Sequence, residues 1–393
     1  MDDAIVIVGY TRTPMGGLQG ALSPLTATEL GTAAICGAIT KAELDPNDID
    51  EVIMGCVLPA GQGQAPARQA ALAAELPVST GCTTINKMCG SGMKAVMLAH
   101  DLLLAGDNKV MLAGGFESMS NAPYLLDKAR GGYRLGHGQL YDHMFLDGLE
   151  DAYDKGQLMG AFAEQCADKY NFSRETQDNF AITSLERAQK AIENGSFNDE
   201  ITPVTVKTRK DTITVDTDEG PLNAKPEKIP QLKPAFKKDG TVTAANSSSI
   251  SDGAAALVLM RESEAKQRGL TPIAKIIAHA TQSQEPQWFT TAPVGAIKQV
   301  LAKSDWSIAD VDLFEINEAF AVVTLAAMAE LNLPHNKVNI HGGACALGHP
   351  IGASGARIIV TLLNALRQYK MRRGVAALCI GGGEATAMTV ELL

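Results

Sequence analysis

Short apolar runs alternate with longer stretches of helical periodicity along most of this chain. The apolar runs are predicted to be buried strands, because a strand covered on both faces is apolar at nearly every position. They lie at residues 4–9, 52–55, 109–115, 273–277, 313–316 and 375–383. Helices are predicted at 28–41, from the turn at 90–92 through 103, and at 168–194, 293–304, 319–331 and 355–363. The alternation predicts an α/β fold whose sheet is covered by helices on both faces.

The order of elements is repeated near the two ends of the chain. A glycine-rich turn, a helix, an apolar strand and a run of glycines occur at 90–115 and again at 352–383. Residues 122–250 differ, because they are richer in polar residues, prolines and turns. We therefore predict a duplicated α/β unit that is interrupted by an inserted loop domain. The predicted domains are 1–121 together with 251–270, the insertion 122–250, and 271–393.

Composition narrows the possible functions. The 393 residues carry a formal net charge of −10, which argues against general nucleic-acid binding. No apolar run has the length and purity of a membrane span, and the acidic start Met1-Asp2-Asp3 is unlike a secretory or transit signal. The seven cysteines include no Cys-x-x-Cys pair, so neither a zinc site nor a disulfide framework is expected. We predict a reduced, cytoplasmic protein that binds no metal, membrane or nucleic acid.

Cys89 is the first candidate for chemistry, because it directly precedes a glycine turn and a predicted helix. The first turn of a helix favours a thiolate, the reactive form of cysteine, and Gly90 and Gly92 would let backbone and substrate approach the sulfur closely. A helix terminus supplies only about 0.3–1 kcal/mol. Lowering a thiol pKa by about 2 units needs roughly 2.7 kcal/mol, so a partner base is required. The alternative is a buried structural cysteine.

Three further segments carry candidate side chains. His349 lies between Gly348 and Pro350 in a glycine-dense turn. It is either an accessible base or a loop residue that is exposed to water. Cys379 ends an apolar strand, as a reactive thiol or as a core residue. Asn317 follows another predicted strand, where it either caps the next helix or orients a water or an oxyanion.

Taken together, these segments resemble the thiolases over the full length of the chain. Four motifs occur in the family's order: Asn-Lys-Met-Cys-Gly-Ser-Gly-Met-Lys-Ala, Asn-Glu-Ala-Phe, Gly-His-Pro-Ile-Gly-Ala-Ser-Gly and Cys-Ile-Gly-Gly-Gly. The resemblance implies a duplicated thiolase fold with α-β-α-β-α layers and an inserted loop domain. It implies acetyl-CoA C-acetyltransferase activity, in which two acetyl-CoA condense reversibly to acetoacetyl-CoA and CoA by a ping-pong mechanism. It also implies a homotetramer.

The resemblance assigns a role to each candidate. Cys89 would carry the acetyl group as a thioester. His349 would deprotonate the Cys89 thiol and support the oxyanion of the substrate. Cys379 would move the proton at the α-carbon of acetyl-CoA. Asn317 would hold a water at one oxyanion site, while the N–H groups of Cys89 and Gly381 would form a second.

Coenzyme A and acetyl-CoA are expected as substrates, with no permanently bound cofactor. By the same resemblance, the insertion would cover the pantetheine arm, with contacts from Ala244 and Ser248. Met159 and Phe320 would line the acyl pocket. Leu158 stands where acetoacetyl-specific members commonly have histidine, which makes the pocket more apolar.

Bulky side chains at Trp288-Phe289 are also expected near the pocket wall. The acyl-chain range therefore remains open, and a broader 3-ketoacyl-CoA thiolase of fatty-acid or branched-chain oxidation is the alternative enzyme.

Two readings from other classes compete with this one. Residues 90–95 fit Gly-x-Gly-x-x-Ala, which also occurs in dinucleotide-binding dehydrogenases, although there it follows the first strand. A protein that binds acyl-CoA without catalysis is the second alternative. Such a protein would need none of Cys89, His349 and Cys379, and this chain has all three.

Overall fold

The computed structural model describes residues 3–208 and 211–393. Met1 and Asp2 of the acidic start lie outside the described residues. The strands are β1 (Ile5–Arg12), β2 (Gly16–Gly17), β3 (Glu51–Gly55), β4 (Gly81–Ile85), β5 (Val110–Ser118), β6 (Tyr124–Leu125), β7 (Tyr141–Asp142), β8 (Val204–Lys207), β9 (Thr212–Val215), β10 (Ser251–Arg261), β11 (Ala274–Ser283), β12 (Leu313–Ile316), β13 (Arg373–Ile380) and β14 (Glu384–Leu392).

The α-helices are α1 (Ala27–Lys41), α2 (Pro66–Ala73), α3 (Ser91–Ala105), α4 (Met159–Tyr170), α5 (Arg174–Glu193), α6 (Glu219–Asn223), α7 (Glu262–Gln267), α8 (Ala292–Ser304), α9 (Ala321–Leu331), α10 (Ala344–Leu347) and α11 (Ser354–Gln368). In the described part of the chain, no helix is both long and apolar enough to cross a membrane.

Most predicted elements are present, and their ends have local causes. Helix α1 begins after Thr26, whose hydroxyl accepts from the Glu29 N–H while the Glu29 carboxylate accepts from the Thr26 N–H. The predicted single helix 168–194 is wrong: α4 ends at Asn171 in a left-handed conformation, and α5 starts after the cap Ser173. Strands β4, β10 and β14 were not predicted, because their patterns are less purely apolar or are interrupted by small residues.

The large sheet joins two halves of matching topology. Its order is β12-β13-β14-β11-β1-β10-β5-β3-β4. In the first half β5, β3 and β4 are parallel, and β10 and β1 follow antiparallel. In the second half β13 and β12 are parallel, and β14 and β11 follow antiparallel. The shared arrangement is the duplication that the repeated glycine-rich segments predict.

Three apolar clusters show that the helices and the two half-sheets form five layers. One cluster packs α1 and α2 on the outer face of the first half-sheet. Another packs α8 and α9 on the outer face of the second. The third surrounds α3 and α11, which lie between the inner faces of both halves. The predicted α-β-α-β-α layering is therefore confirmed.

Glycines let the two central helices approach closely. A Cβ at Gly92 of α3 would lie 2.8 Å from the Ala356 nitrogen and 3.0 Å from the Ala353 oxygen of the α11 segment. A Cβ at Gly355 would lie 2.8 Å from the Met93 Cβ. Of the two approaches expected at Gly92, the close approach of backbone is confirmed at this helix crossing, whereas the approach of a substrate is not, since the α11 segment fills the space.

Residues 122–250 pack on the core through buried ion pairs. The Arg12 guanidinium of β1 donates to Glu200 at 2.6 Å and to both oxygens of Asp218 at 2.6 and 2.8 Å, and all three side chains are buried. These bonds join the segment 122–250 to the first strand of the chain.

Candidate active site

Cys89 lies in a strained turn between β4 and α3. Met88 has a φ of 47°, a left-handed conformation that is uncommon for a side chain of this size. Ser91 stabilises the turn, because its hydroxyl donates to the Met88 oxygen at 2.6 Å and accepts from the Lys87 N–H at 2.8 Å. The turn places the thiol in the central layer, at the cavity described below.

The pKa of Cys89 is raised to about 11, chiefly because burial removes water from the charged form. Hydrogen bonds from the backbone N–H groups of Gly381 and Cys89 itself act in the opposite direction. Burial therefore outweighs the helix terminus in this state, and Cys89 needs a partner base to become a thiolate. The same two amides lie where a negative charge next to the sulfur would be stabilised.

His349 is held with one ring nitrogen fixed and the other free. The Ser354 hydroxyl donates to the Pro350 oxygen at 2.9 Å, so its oxygen accepts from Nδ1 of His349 at 2.5 Å. Nε2 has no hydrogen-bond partner among the described residues, and the ring lines the cavity. Burial first, and the charge of Arg357 second, lower the pKa of His349 to about 3. The imidazole is thus neutral at physiological pH, with its lone pair on Nε2.

Sequence reasoning did not find Ser354 as a partner of His349. The predicted helix begins at residue 355, and Ser354 is the first residue of α11. A hydroxyl five residues after a histidine, at the beginning of a helix, is the signal that could have indicated the contact.

Asn317 lies beside His349 rather than in the cavity wall. Its Nδ2 is 3.5 Å from Nδ1 of His349, and its backbone N–H donates to the Ala377 oxygen at 3.0 Å. The side chain is fully buried, and its Oδ1 has no partner within the described residues. It does not cap α9, because Phe320 is the residue before that helix.

Cys379 and Gly381 approach the site from the end of β13. Burial raises the pKa of Cys379 well above that of an ordinary thiol, and the neighbouring Cys89 adds to the shift. Gly381 has only the Met159 sulfur near the position of a Cβ, at 3.4 Å. The turn before α3 and the end of β13 therefore meet at Cys89 and Cys379.

One cavity of about 370 Å³ brings these groups together. Cys89, His349, Cys379 and Gly381 line it. All five of the residues predicted to contact CoA or the acyl group line the same cavity: Ala244, Ser248, Met159, Leu158 and Phe320. Further walls come from apolar residues that sequence reasoning did not find, among them Phe145, Leu149, Phe236 and Ile351.

The segment that carries Ser248 is fixed by the turn before α9 and by the turn that carries His349. Its Ser248 N–H donates to the Ala319 oxygen at 2.9 Å, and the Ala321 N–H donates to the Asn246 oxygen at 2.8 Å. The N–H of His349 donates to the Ser249 oxygen at 3.1 Å. Residues 244–250 thus form a wall of the cavity, with Ala244 exposed.

The bulky neighbours Trp288 and Phe289 lie in two different environments. Phe289 is buried, lines the cavity and packs edge-on against Phe162 at 6.5 Å. Trp288 is not a lining residue, because its ring lies against the ammonium of Lys169 at 4.3 Å. Of the two, only Phe289 restricts the pocket.

The dinucleotide-binding alternative does not fit this geometry. A phosphate loop needs open space at its glycines, whereas a Cβ at Gly90 would meet the Ile380 side chain and Gly92 packs on α11. The segment also begins the central helix α3 and does not follow the first strand.

The pH dependence of alkylation tests the neutral state of the site. With the pKa of Cys89 raised and that of His349 lowered, the resting pair is thiol and imidazole. We expect the rate of Cys89 modification by iodoacetamide to rise about tenfold per pH unit between about pH 6 and pH 9. Mass spectrometry of the Cys89 peptide gives the rate. A rate that is constant down to about pH 5 would instead indicate a preformed ion pair.

Comparison with known proteins identifies the family. The model of the thiolase N-terminal domain matches residues 5–263, and that of the thiolase C-terminal domain matches residues 270–392. The chain belongs to the thiolase family, as the four motifs predict.

Named relatives match along the whole chain. Acetyl-CoA acetyltransferase 2 of Arabidopsis thaliana is 52% identical, covering 99% of this chain and 97% of the relative. Acetyl-CoA acetyltransferase of Pseudomonas aeruginosa is 48% identical, covering 98% of each chain.

Solved structures agree with this assignment. The Bacillus anthracis acetyl-CoA acetyltransferase superposes with a TM-score of 0.97 at 42% identity, covering 100% of this chain and 99% of the other. The Acat5 thiolase of Ascaris suum, solved in complex with coenzyme A, superposes with a TM-score of 0.94 at 44% identity, covering 99% of this chain and 100% of the other.

Proposed function

We propose that this protein is an acetyl-CoA C-acetyltransferase that works through an acetyl thioester on Cys89. The observation that carries the proposal is the convergence of two thiols and a neutral imidazole in one buried, largely apolar cavity. The names of the relatives support the same activity. A non-catalytic acyl-CoA-binding protein has no use for this convergence.

The first half-reaction transfers the acetyl group to the enzyme. Nε2 of His349 takes the proton of Cys89, and the thiolate attacks the carbonyl carbon of acetyl-CoA. The C–S bond to CoA breaks, and the departing sulfur takes the proton of Cys379. His349 is then an imidazolium and Cys379 a thiolate. The amides of Cys89 and Gly381, which donate toward the sulfur, would stabilise the charge on an oxyanion beside it.

The second half-reaction forms the carbon–carbon bond. The Cys379 thiolate takes the α-proton of a second acetyl-CoA, and the carbanion attacks the acetyl carbonyl on Cys89. The raised pKa of Cys379 suits this step, because a thiolate of high pKa is a stronger base toward a weak carbon acid. Cys89 leaves as a thiolate and regains its proton from His349, so acetoacetyl-CoA is released and every proton is accounted for.

Asn317 and Ser354 are proposed to hold the base in place. Ser354 fixes the proton on Nδ1 of His349, which directs the Nε2 lone pair into the cavity. The unpartnered Oδ1 of Asn317 would accept a hydrogen bond from a water that completes an oxyanion site with His349. Because these groups are buried, each orientation is set before the substrate binds.

Coenzyme A is proposed to enter over the wall that the insertion forms. Ala244 and Ser248 lie at this wall and are not fully buried, which suits contact with the pantetheine arm. Leu158, Met159 and Phe320 would enclose the acyl group. No permanently bound cofactor is required by this scheme.

Chain-length preference separates the proposal from a broad 3-ketoacyl-CoA thiolase. Phe289 and Phe320 limit the cavity, and overfilling a packed site costs about 1–3 kcal/mol, which is roughly a fivefold to 150-fold loss of rate. In a thiolysis assay we expect acetoacetyl-CoA to be cleaved well, 2-methylacetoacetyl-CoA measurably, and a substrate of about 16 carbons poorly.

A matched pair of variants tests the role of the wall. Phe289→Leu should improve the relative rate with longer substrates, and Trp288→Leu should leave it unchanged, since Trp288 does not line the cavity. If the wild-type enzyme prefers the long substrate, the broad thiolase is the correct function.

A homotetramer is proposed from the loop around residues 130–143. Leu135 is 98% exposed and Leu140 64% exposed, which leaves an apolar loop surface that subunit contact would cover. We expect light scattering to give a tetramer mass, and the double variant Leu135→Glu, Leu140→Glu to give a smaller one. Leu222→Glu, at another exposed leucine of the insertion, is the control. A monomer mass for the wild type contradicts the proposal.

A cytoplasmic location is part of the same proposal. It rests on the seven cysteines, which are all free thiols in the structure, as expected in a reducing compartment.

A further inference from the structure

Three metal-ligating side chains meet on the surface, away from the cavity. His100 and Asp101 lie in α3, and His279 lies in β11. Their ligand atoms all lie within 4.8 Å of one another. Helix α3 is packed in the first repeat unit and β11 belongs to the second, so the group spans the two halves of the fold. None of the three takes part in the proposed chemistry.

Both imidazoles are directed at the same carboxylate oxygen. His100 donates from Nδ1 to Oδ1 of Asp101 at 3.0 Å, and His279 donates from Nε2 to that atom at 2.9 Å. The two rings are perpendicular, with centroids 5.0 Å apart. One nitrogen of each imidazole ring therefore points at the position that Oδ1 of Asp101 now occupies.

The spacing of the donors is close to that of a tetrahedral metal site. Zinc bonds to nitrogen and oxygen are about 2.0–2.2 Å long, so neighbouring ligand atoms lie about 3.3–3.5 Å apart. The distances from Oδ1 of Asp101 to the two imidazole nitrogens, 3.0 and 2.9 Å, are shorter than this by only about half an ångström. Asp101 is half exposed, so its carboxylate can move aside and become the third ligand.

We propose that His100, Asp101 and His279 form a site for a divalent transition metal of the zinc class, with water as the fourth ligand. The ion would replace the two imidazole protons that now bond to Asp101. It would link α3 to β11 and so strengthen the contact between the two repeat units.

One neighbouring charge opposes binding. The Lys303 ammonium donates to the backbone oxygen of His279 at 2.9 Å and adds positive charge beside the site.

Cobalt titration of the intact enzyme tests the site. Co²⁺ is added to the protein at pH 7.5, and visible absorption reports both coordination and binding. We expect one equivalent to bind with the d–d bands of a tetrahedral nitrogen and oxygen site. Zn²⁺ should displace it and raise the melting temperature. His100→Gln and His279→Gln should each weaken binding by about tenfold or more.

Two readouts separate this site from the cysteines. A thiolate-to-cobalt charge-transfer band would place the metal at cysteines, and equal binding by the double variant His100→Gln, His279→Gln would place it away from the two histidines; either result overturns the proposal. Failure of the wild type to bind Co²⁺ at about 100 µM would also overturn it. The double variant should keep wild-type thiolysis activity without metal, which shows that it is folded.

Discussion

Replacing Cys89 with serine is expected to abolish both half-reactions. The hydroxyl is a far weaker nucleophile than the thiol, so thiolysis of acetoacetyl-CoA should fall by about four orders of magnitude or more. Condensation of acetyl-CoA should fall equally, because both directions pass through the same thioester. Steady-state assays in the two directions measure the loss.

The control for this variant is another cysteine in the same enzyme. Cys36 is exposed and lies outside the cavity, so Cys36→Ser should keep near-wild-type rates. A Cys89→Ser enzyme with more than about a tenth of wild-type activity would show that a different group carries the acetyl intermediate.

Replacing Cys379 with serine is expected to separate the two half-reactions. Removal of a general base costs about two to four orders of magnitude, and a serine hydroxyl cannot replace a thiolate as the base for the α-proton. Condensation and thiolysis should therefore fall by about a thousandfold. Acetylation of Cys89 should persist at a reduced rate, because Cys379 is not the nucleophile. A quenched assay of CoA release measures the acetylation of Cys89 in a single turnover. A coupled steady-state assay measures the rate of the complete reaction.

Cys166→Ser is the matched control for Cys379→Ser. Both thiols are buried in the same apolar cluster, and only Cys379 lines the cavity. If the two variants lose activity equally, Cys379 acts through packing. If Cys379→Ser cannot acetylate Cys89 at all, Cys379 has a part in thioester formation that goes beyond protonating the leaving group.

The architecture was predictable because periodicity and duplication carry most of it. Apolar runs such as 375–383 are too apolar to lie at the surface, so they predict buried strands. The glycine-rich repeats at 90–115 and 352–383 indicate two equivalent strand ends. The break between α4 and α5 was not predictable, because it depends on a left-handed Asn171 and the Ser173 cap within an otherwise helical pattern.

The site was predictable in its members but less so in its electrostatics. The motifs identify Cys89, His349 and Cys379, and the structure brings them to one cavity. Their pKa values depend on burial between two half-sheets, which no local pattern shows. Burial outweighs the helix terminus at Cys89 for that reason. Ser354 was missed because its contact with His349 appears only when the glycine-rich turn folds back.

Peptide mass spectrometry after incubation with acetyl-CoA tests the central claim most directly. The Cys379→Ser enzyme is used, since the acetyl group should accumulate when condensation is blocked, and the reaction is quenched in acid to preserve the thioester. The account predicts a single acetyl group, sensitive to hydroxylamine, on the peptide that contains Cys89. An acetyl group on another cysteine, with an unmodified Cys89, would contradict it.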